Sequence, residues 1–181
     1  MDVIYLEKPS IKRQQDAIKY IGELRENNLP YSGTGYLERY INEYQLWLKL
    51  LKKYESPLTC PNDVCPGFTY FLIRKNDNKI IGMINIRTKL IDKVRLHGGN
   101  IGYSIRPSEQ HKGYGKRILK LGLDKCKEIG MNTLTIVTNS ENIASSKIIE
   151  SCNGIMIDSV PSIEYNKQDD IIYQVILKKG C

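Results

Sequence analysis

Residues 101–154 read IGYSIRPSEQHKGYGKRILKLGLDKCKEIGMNTLTIVTNSENIASSKIIESCNG, and the order of patterns inside this run decides the fold class. It opens on an apolar strand that ends near Arg106 and turns at Pro107-Ser108. The chain then passes through Gln110-His111-Lys112-Gly113-Tyr114-Gly115-Lys116 into a helix over about 115–129. Ile118, Leu119, Leu121, Leu123, Cys126 and Ile129 are its apolar residues, and Gly130 stops it. The β-branched stretch TLTIVT at 133–138 reads as a buried strand. A helix over 144–152 follows, capped by Asn153-Gly154.

Outward from this run the patterns continue in both directions. Downstream, 155–160 and 171–178 read as closing strands. Upstream, 68–74, 79–90 and 100–106 read as an antiparallel meander, the first two strands joined by Asn76-Asp77-Asn78. Residues 36–54 carry Leu37, Tyr40, Ile41, Tyr44, Trp47, Leu48 and Leu51 at helical spacing, a stripe suited to a core or a cleft wall. A turn-rich break at 27–35 precedes it. Before the break, Ser10 is placed as the N-cap of a helix with Ile11, Ile18, Ile21 and Leu24 on one face, and 3–7 alternate like a short strand. With no repeat or linker, the chain reads as one unit from 1 to 181: an α/β protein with a mixed, mostly antiparallel sheet of six or seven strands flanked by helices.

Composition excludes several classes. With 181 residues, 41% hydrophobic and 26% charged, the chain is an ordinary globular protein rather than a disordered or fibrous one. No run of 18 apolar residues occurs, and Asp2 and Glu7 stand where a signal peptide would be basic and then apolar, so a cytoplasmic location is expected. The five cysteines, Cys60, Cys65, Cys126, Cys152 and Cys181, form no C-x-x-C and are read as free thiols. Cys60 and Cys65 share a Pro-rich loop without further ligands, so no metal is expected. Net charge is +7, and from 106 to 127 seven cations face two anions around the two glycines. Nucleic-acid surfaces spread charge along a groove between stacking aromatics, whereas this cluster centres on one loop and suits a small polyanion. A solvated helix face also carries such a run.

A strand, a turn and a helix start beside Gly113 aim backbone N–H groups and the positive end of the helix dipole at one point, which is where phosphate binds. Side chains at Gly113 and Gly115 would hold a pyrophosphate off the backbone. The Walker run G-x-x-x-x-G-K-[ST] is absent, and G-x-G-x-x-G fails because Ile118 stands at its third glycine. What remains is [Q/R]-x-x-G-x-[G/A], matched by Gln110, Gly113 and Gly115.

On these residues the sequence resembles the GNAT superfamily of acetyl-CoA-dependent N-acetyltransferases. The strand, pyrophosphate loop, helix, second strand and N-x-x-[AS] helix start at Asn142 and Ser145 follow family order over 101–154, and 68–106 resembles the preceding strands. HGGNIGYSIRPSE is similar to one uncharacterised bacterial subgroup, and the likeness in the first 60 residues is loose. The resemblance implies a GNAT-like sheet, acetyl-CoA as co-substrate and no metal. It lays Tyr103, Ser104 and Ile105 along the pantetheine arm, with the Ile105 N–H near the thioester carbonyl. It gives the pyrophosphate to Gln110, His111, Lys112, Gly113, Tyr114, Gly115 and Lys116. Asn142 and Ser145 fall on the far side of the arm, and the strands of Tyr103 and Thr135 splay to admit it.

The implied activity is acetyl transfer to a primary amine by direct attack, with residues 1–67 shaping the acceptor site. A homodimer is left open. An acyl-CoA sensor without turnover and a basic RNA-associated protein are the alternatives. The strand over 100–106 lacks the Glu that many relatives hold there, leaving His97, Glu141 and Tyr173 as candidate bases. Many relatives place a Tyr seven residues after the Asn that opens the helix. Ile149 stands there, which makes Ser145 the candidate proton donor and Tyr173 the runner-up.

Overall fold

The computed structural model describes residues 2–163 and 168–177; Cys181 and the last residue of the strand expected over 171–178 lie outside them. Among the described residues, seven strands form two antiparallel sheets. The first has the order β1-β2-β3-β4, with β1 at Ile4–Glu7, β2 at Gly67–Arg74, β3 at Lys79–Arg87 and β4 at Ile101–Ile105. The second has the order β5-β7-β6, with β5 at Thr133–Asn139, β6 at Ile155–Val160 and β7 at Asp170–Ile176. Five helices accompany them: α1 (Gln14–Glu26), α2 (Tyr44–Tyr54), the short α3 (Asp92–Arg95), α4 (Tyr114–Glu128) and α5 (Ile143–Glu150).

β2 and β3 are apolar on both faces because both are covered. Successive side chains point to opposite sides, so Phe71, Ile73 and Met83 pack with Tyr20, Ile21, Leu24 and Trp47 from α1 and α2. Their neighbours Leu72 and Ile84 pack under Ile118, Leu119 and Leu123 of α4 and reach Leu134 and Val175 of the second sheet. Trp47 also donates its indole N–H to the Gly35 carbonyl at 2.7 Å, tying the segment between α1 and α2 to the core. Truncating so large a buried side chain costs about 3–5 kcal/mol.

The two sheets touch at one place and then part. Asn100 donates its N–H to Thr135 O at 2.7 Å, and its side-chain oxygen accepts from Thr135 N at 2.8 Å. Its amide nitrogen donates to Arg87 O at 2.9 Å. Gly99 bridges Ile136, and beyond that point β4 and β5 share no ladder. One side chain thus satisfies the backbone where the sheets diverge.

The first third of the chain differs most from its expected pattern. Residues 36–54 are not one helix: 3-10 turns at Leu37–Arg39 and Ile41–Glu43 precede α2. Tyr36 has φ +66°, a left-handed conformation that interrupts helix growth, although Leu37, Tyr44 and Trp47 still bury the stripe. Ser10 makes no side-chain cap. It precedes a 3-10 turn at Ile11–Arg13, α1 begins at Gln14, and Ile11 is exposed. Elsewhere the expected elements hold to within a few residues, and Cys60, Cys65, Cys126 and Cys152 are free thiols.

Candidate active site

The divergence of β4 from β5 opens a cleft of about 480 Å³ between β4, the loop at 110–116 and the start of α5. Every residue expected to hold the cofactor borders it except Lys112. The Lys112 ammonium is turned to Ser108 O and Glu109 Oε2, both at 3.0 Å. The cleft also takes Leu24, Leu29, Pro30 and Ser32 from the first third of the chain, which no local motif announced. Ser104 Oγ donates to Ser32 O at 2.5 Å and meets Tyr20 Oη at 2.8 Å, which pins that segment against β4.

Three structural features meet here. The first is the free edge of β4. Arg106 N donates to Ile81 O and Arg87 N to Asn100 O, so even-numbered residues of this strand face β3. By strand alternation the N–H groups of Tyr103 and Ile105 face the cleft, where no strand pairs with them. The second is the N-terminus of α4. Gly113 occupies the N-cap with φ +80° and no side chain caps the helix, so its first N–H groups are left for an external acceptor. A Cβ on Gly113 would meet nothing within 4 Å and would project into open space at the loop. Gly115 has a different reason: a Cβ there would come 2.7 Å from Ile148 Cδ1, so this glycine lets α4 lie close to α5. The third is α5, where Asn142 accepts from Ser145 N at 3.1 Å and caps the helix.

The positive cluster is smaller at the cleft than the sequence suggests. Arg106 is 2% exposed and paired with Asp16 at 2.9 Å and Glu23 at 3.3 Å. Lys125 and Lys127 pair with Glu128 and Asp124 on the helix surface. Glu109 is buried below the loop. Burial alone would raise its pKa, but hydrogen bonds from Arg74, Lys112 and Lys79 outweigh this and lower it to about 2. Among the cations of this segment, Lys116 borders the cleft.

A second cleft of about 480 Å³ adjoins the first and shares Leu29, Pro30, Ser32, Tyr103, Asn142 and Ser145 with it. His97 and Glu141 line it, together with Asp170 from β7. His97 Nδ1 lies 2.8 Å from Asp170 Oδ2. A carboxylate only accepts, so Nδ1 carries a proton, and in the neutral ring Nε2 is the nitrogen that presents a lone pair. Asp170 stands 73 residues from His97, beyond the reach of any spacing argument. On the shared wall Ser145 Oγ meets Tyr103 Oη at 3.3 Å. Burial raises the Tyr103 pKa and the contact with Ser145 opposes this, so the phenol stays protonated at neutral pH. Tyr173 borders neither cleft; its hydroxyl donates to Glu150 Oε1 at 3.1 Å. Ile149 is fully buried in the core, and Ile148 is the residue at the cleft.

The family model for the acetyltransferase (GNAT) domain matches residues 34–154. The chain belongs to the GNAT acetyltransferase family. As a GNAT protein it is an acetyl-CoA-dependent N-acetyltransferase. A search among curated proteins finds no match. Among solved structures, the GNAT fold recurs in the ribosomal-protein-S5-alanine acetyltransferase from Vibrio fischeri, with 19% identity over 96% of this chain and 91% of that one and a TM-score of 0.70. It recurs in the microcin C7 self-immunity acetyltransferase MccE, in complex with acetyl-CoA and AMP, with 15% identity, 98% and 94% coverage and a TM-score of 0.69. The putative acetyltransferase yncA from Salmonella typhimurium, with its cofactor acetyl-CoA, is 14% identical over 98% and 95%, with a TM-score of 0.62. Among the described residues, no helix of this GNAT protein is long and apolar enough to cross a membrane.

Proposed function

We propose that acetyl-CoA occupies the cleft between β4 and α5 and that a primary amine enters through the adjoining cleft lined by His97, Glu141 and Asp170. The observation that carries this reading is the shared wall: Tyr103, Asn142 and Ser145 border both clefts, so two substrates can meet only there. The free N–H groups of α4 and Gly113, Tyr114, Gly115 and Lys116 suit a pyrophosphate. The open edge of β4 suits the amides of pantetheine, as an added strand would. Acetyl-CoA supplies an activated acyl group on a thiol leaving group.

The protein's own residues divide the proton traffic. An amine with a pKa of about 10.4 enters protonated, and Glu141 and Asp170 favour that cation electrostatically. His97 Nε2, with Nδ1 fixed by Asp170, takes the proton and frees the lone pair for attack. The Ile105 N–H is aimed where negative charge grows on the carbonyl oxygen. Ser145, in contact with Tyr103, passes to the departing sulfur the second proton, which the attacking nitrogen sheds as the tetrahedral intermediate collapses to the amide. In this reading residues 1–67 shape the acceptor side, the chain acts as one unit in the cytoplasm, and a dimer is not needed to complete the site.

The test pairs calorimetry of acetyl-CoA binding with thiol release over a panel of amines. Ser145→Ala should lower kcat by about 10²-fold while leaving the Kd for acetyl-CoA unchanged. An unchanged kcat removes Ser145 from the proton path, and binding without thiol release from any amine overturns the transfer reading.

A further inference from the structure

Beyond His97 the acceptor cleft continues into a third recess of about 250 Å³, which shares Ser32, His97, Ile101, Gly102 and Val137 with it. Arg87, the last residue of β3, lines it and also borders a smaller pocket of about 40 Å³ with Tyr36, Asp63 and Cys65. Its guanidinium is half used. Nη1 donates to Gly98 O at 3.0 Å and Gly99 O at 2.9 Å, holding the turn that follows His97. Among the described residues no carboxylate pairs with Arg87, and nothing accepts from Nε or Nη2; neither nitrogen counts among the buried polar atoms lacking a partner, so both keep contact with open space. A Cβ built on Gly102 would lie 3.7 Å from Nη2, which places that nitrogen on the wall common to the two recesses. Three other buried or half-buried arginines are paired with acids, Arg13 with Glu7, Arg74 with Glu109 and Arg106 with Asp16, while Arg117 donates to the Asp2 carbonyl. Desolvation of Arg87 pulls its pKa down, and the smaller opposing influences come from Tyr36 and Cys65 rather than from a carboxylate.

The charges around the path are separated by sign. The cleft next to Ser145 carries Glu141 and Asp170, the latter held to His97. The recess beyond carries Arg87 and Arg39 against Glu38, and Glu38 is itself occupied by Thr34 Oγ1 at 2.7 Å and by Arg39 at 3.8 Å. An ammonium group is favoured at one end and an anion at the other. The free Nε–Nη2 edge matches the two oxygens of a carboxylate, the geometry in which arginine binds most strongly.

We propose that the acceptor is an amine that also bears a carboxylate, with the amine at the His97 end and the carboxylate on the Nε–Nη2 edge of Arg87. This rests on the transfer reading above and narrows its substrate class to amino-acid-like molecules. Arg87 is then a specificity residue: it binds the acceptor and takes no part in proton transfer.

The experiment compares amino acids with their carboxamides, two probes that differ at the carboxylate, at equal concentrations of free amine. Binding to the CoA-saturated protein is read by thermal shift and calorimetry, and thiol release is read in parallel. The wild type should favour the carboxylate form by about tenfold or more. Arg87→Gln should erase that preference by raising the KM of the carboxylate form alone, with acetyl-CoA affinity intact as the check on folding. Arg87→Lys, which keeps the charge without the fork, should retain part of it. Equal binding of acid and amide by the wild type overturns the proposal even if both are acetylated. An equal loss for both probes in Arg87→Gln also overturns it, leaving Arg87 as a clamp on Gly98 and Gly99. A carboxylate preference in binding without thiol release would uphold the Arg87 site and break the transfer reading instead.

Discussion

The two sides of the active site are built in opposite ways. The side proposed for the cofactor is local: the edge of β4, the loop at 110–116 and the cap of α5 fall within residues 101–154 and offer mainly backbone N–H groups. The side proposed for the acceptor is assembled from distant side chains, with Ser32 from the segment after α1, Arg87 from β3, His97 after α3 and Asp170 from β7. A co-substrate of fixed chemistry can be held by a short backbone motif, whereas an acceptor must be recognised by side chains that the whole fold brings together.

The largest expected effect probes the support beneath the local side. Glu109 is lowered to about 2 by Arg74, Lys112 and Lys79 against the opposing effect of burial. A depressed carboxylate pKa contributes stability above its unfolded value of about 4.3 and loses it as pH falls toward the folded value. Denaturation midpoints should therefore drop between about pH 5 and pH 2, by the equivalent of about 3 kcal/mol at most. Glu109→Gln should be less stable at neutral pH and lose less across that window, the remainder coming from carboxylates such as Glu7 and Asp77, whose pKa values are also lowered. A variant with the wild-type acid profile would assign the transition to other carboxylates and detach Glu109 from the loop's stability.

On the acceptor side, His97→Gln should reduce kcat/KM by about 10²-fold and leave the acetyl-CoA Kd unchanged, as measured by steady-state kinetics beside calorimetry. Loss of cofactor binding in this variant would erase the division between the two sides. Gly113→Val should weaken acetyl-CoA binding by about tenfold, because it both strains φ +80° and fills the open space at the loop. Circular dichroism should show the fold retained, and unchanged affinity would deny the loop its role. The smallest effect belongs to Lys116→Ala: about threefold in acetyl-CoA affinity at low salt, fading at physiological ionic strength. A Lys116 effect larger than that of Gly113 would make the site one of side-chain charge rather than of backbone geometry.

Gly113 and Gly115 show how far a motif can be read. Both were expected to admit pyrophosphate, yet only Gly113 faces open space; Gly115 faces Ile148, a contact across two helices that spacing does not reveal. Arg106 and Lys116 show the same limit for charge. Both belong to one basic run, but Asp16 and Glu23 of α1 neutralise Arg106, 90 and 83 positions away, while Lys116 borders the cleft. Ile149 stands where a hydroxyl was sought, and α5 turns it into the core.

The sequence by itself determined the family and, apart from α3, the elements from β2 onward, and it named most of the residues that line the first cleft. Those depend on period-2 and period-3.6 patterns, turn residues and a glycine loop, all of which act over a few residues. Only the tertiary structure decided that residues 36–43 turn rather than spiral, that His97 is held by Asp170, that Tyr103 meets Ser145, and that Arg87 has an edge to spare. These are contacts between elements far apart in the chain. They are fixed by how α1, α2 and the second sheet pack against β2, β3 and β4, a geometry that no local pattern encodes.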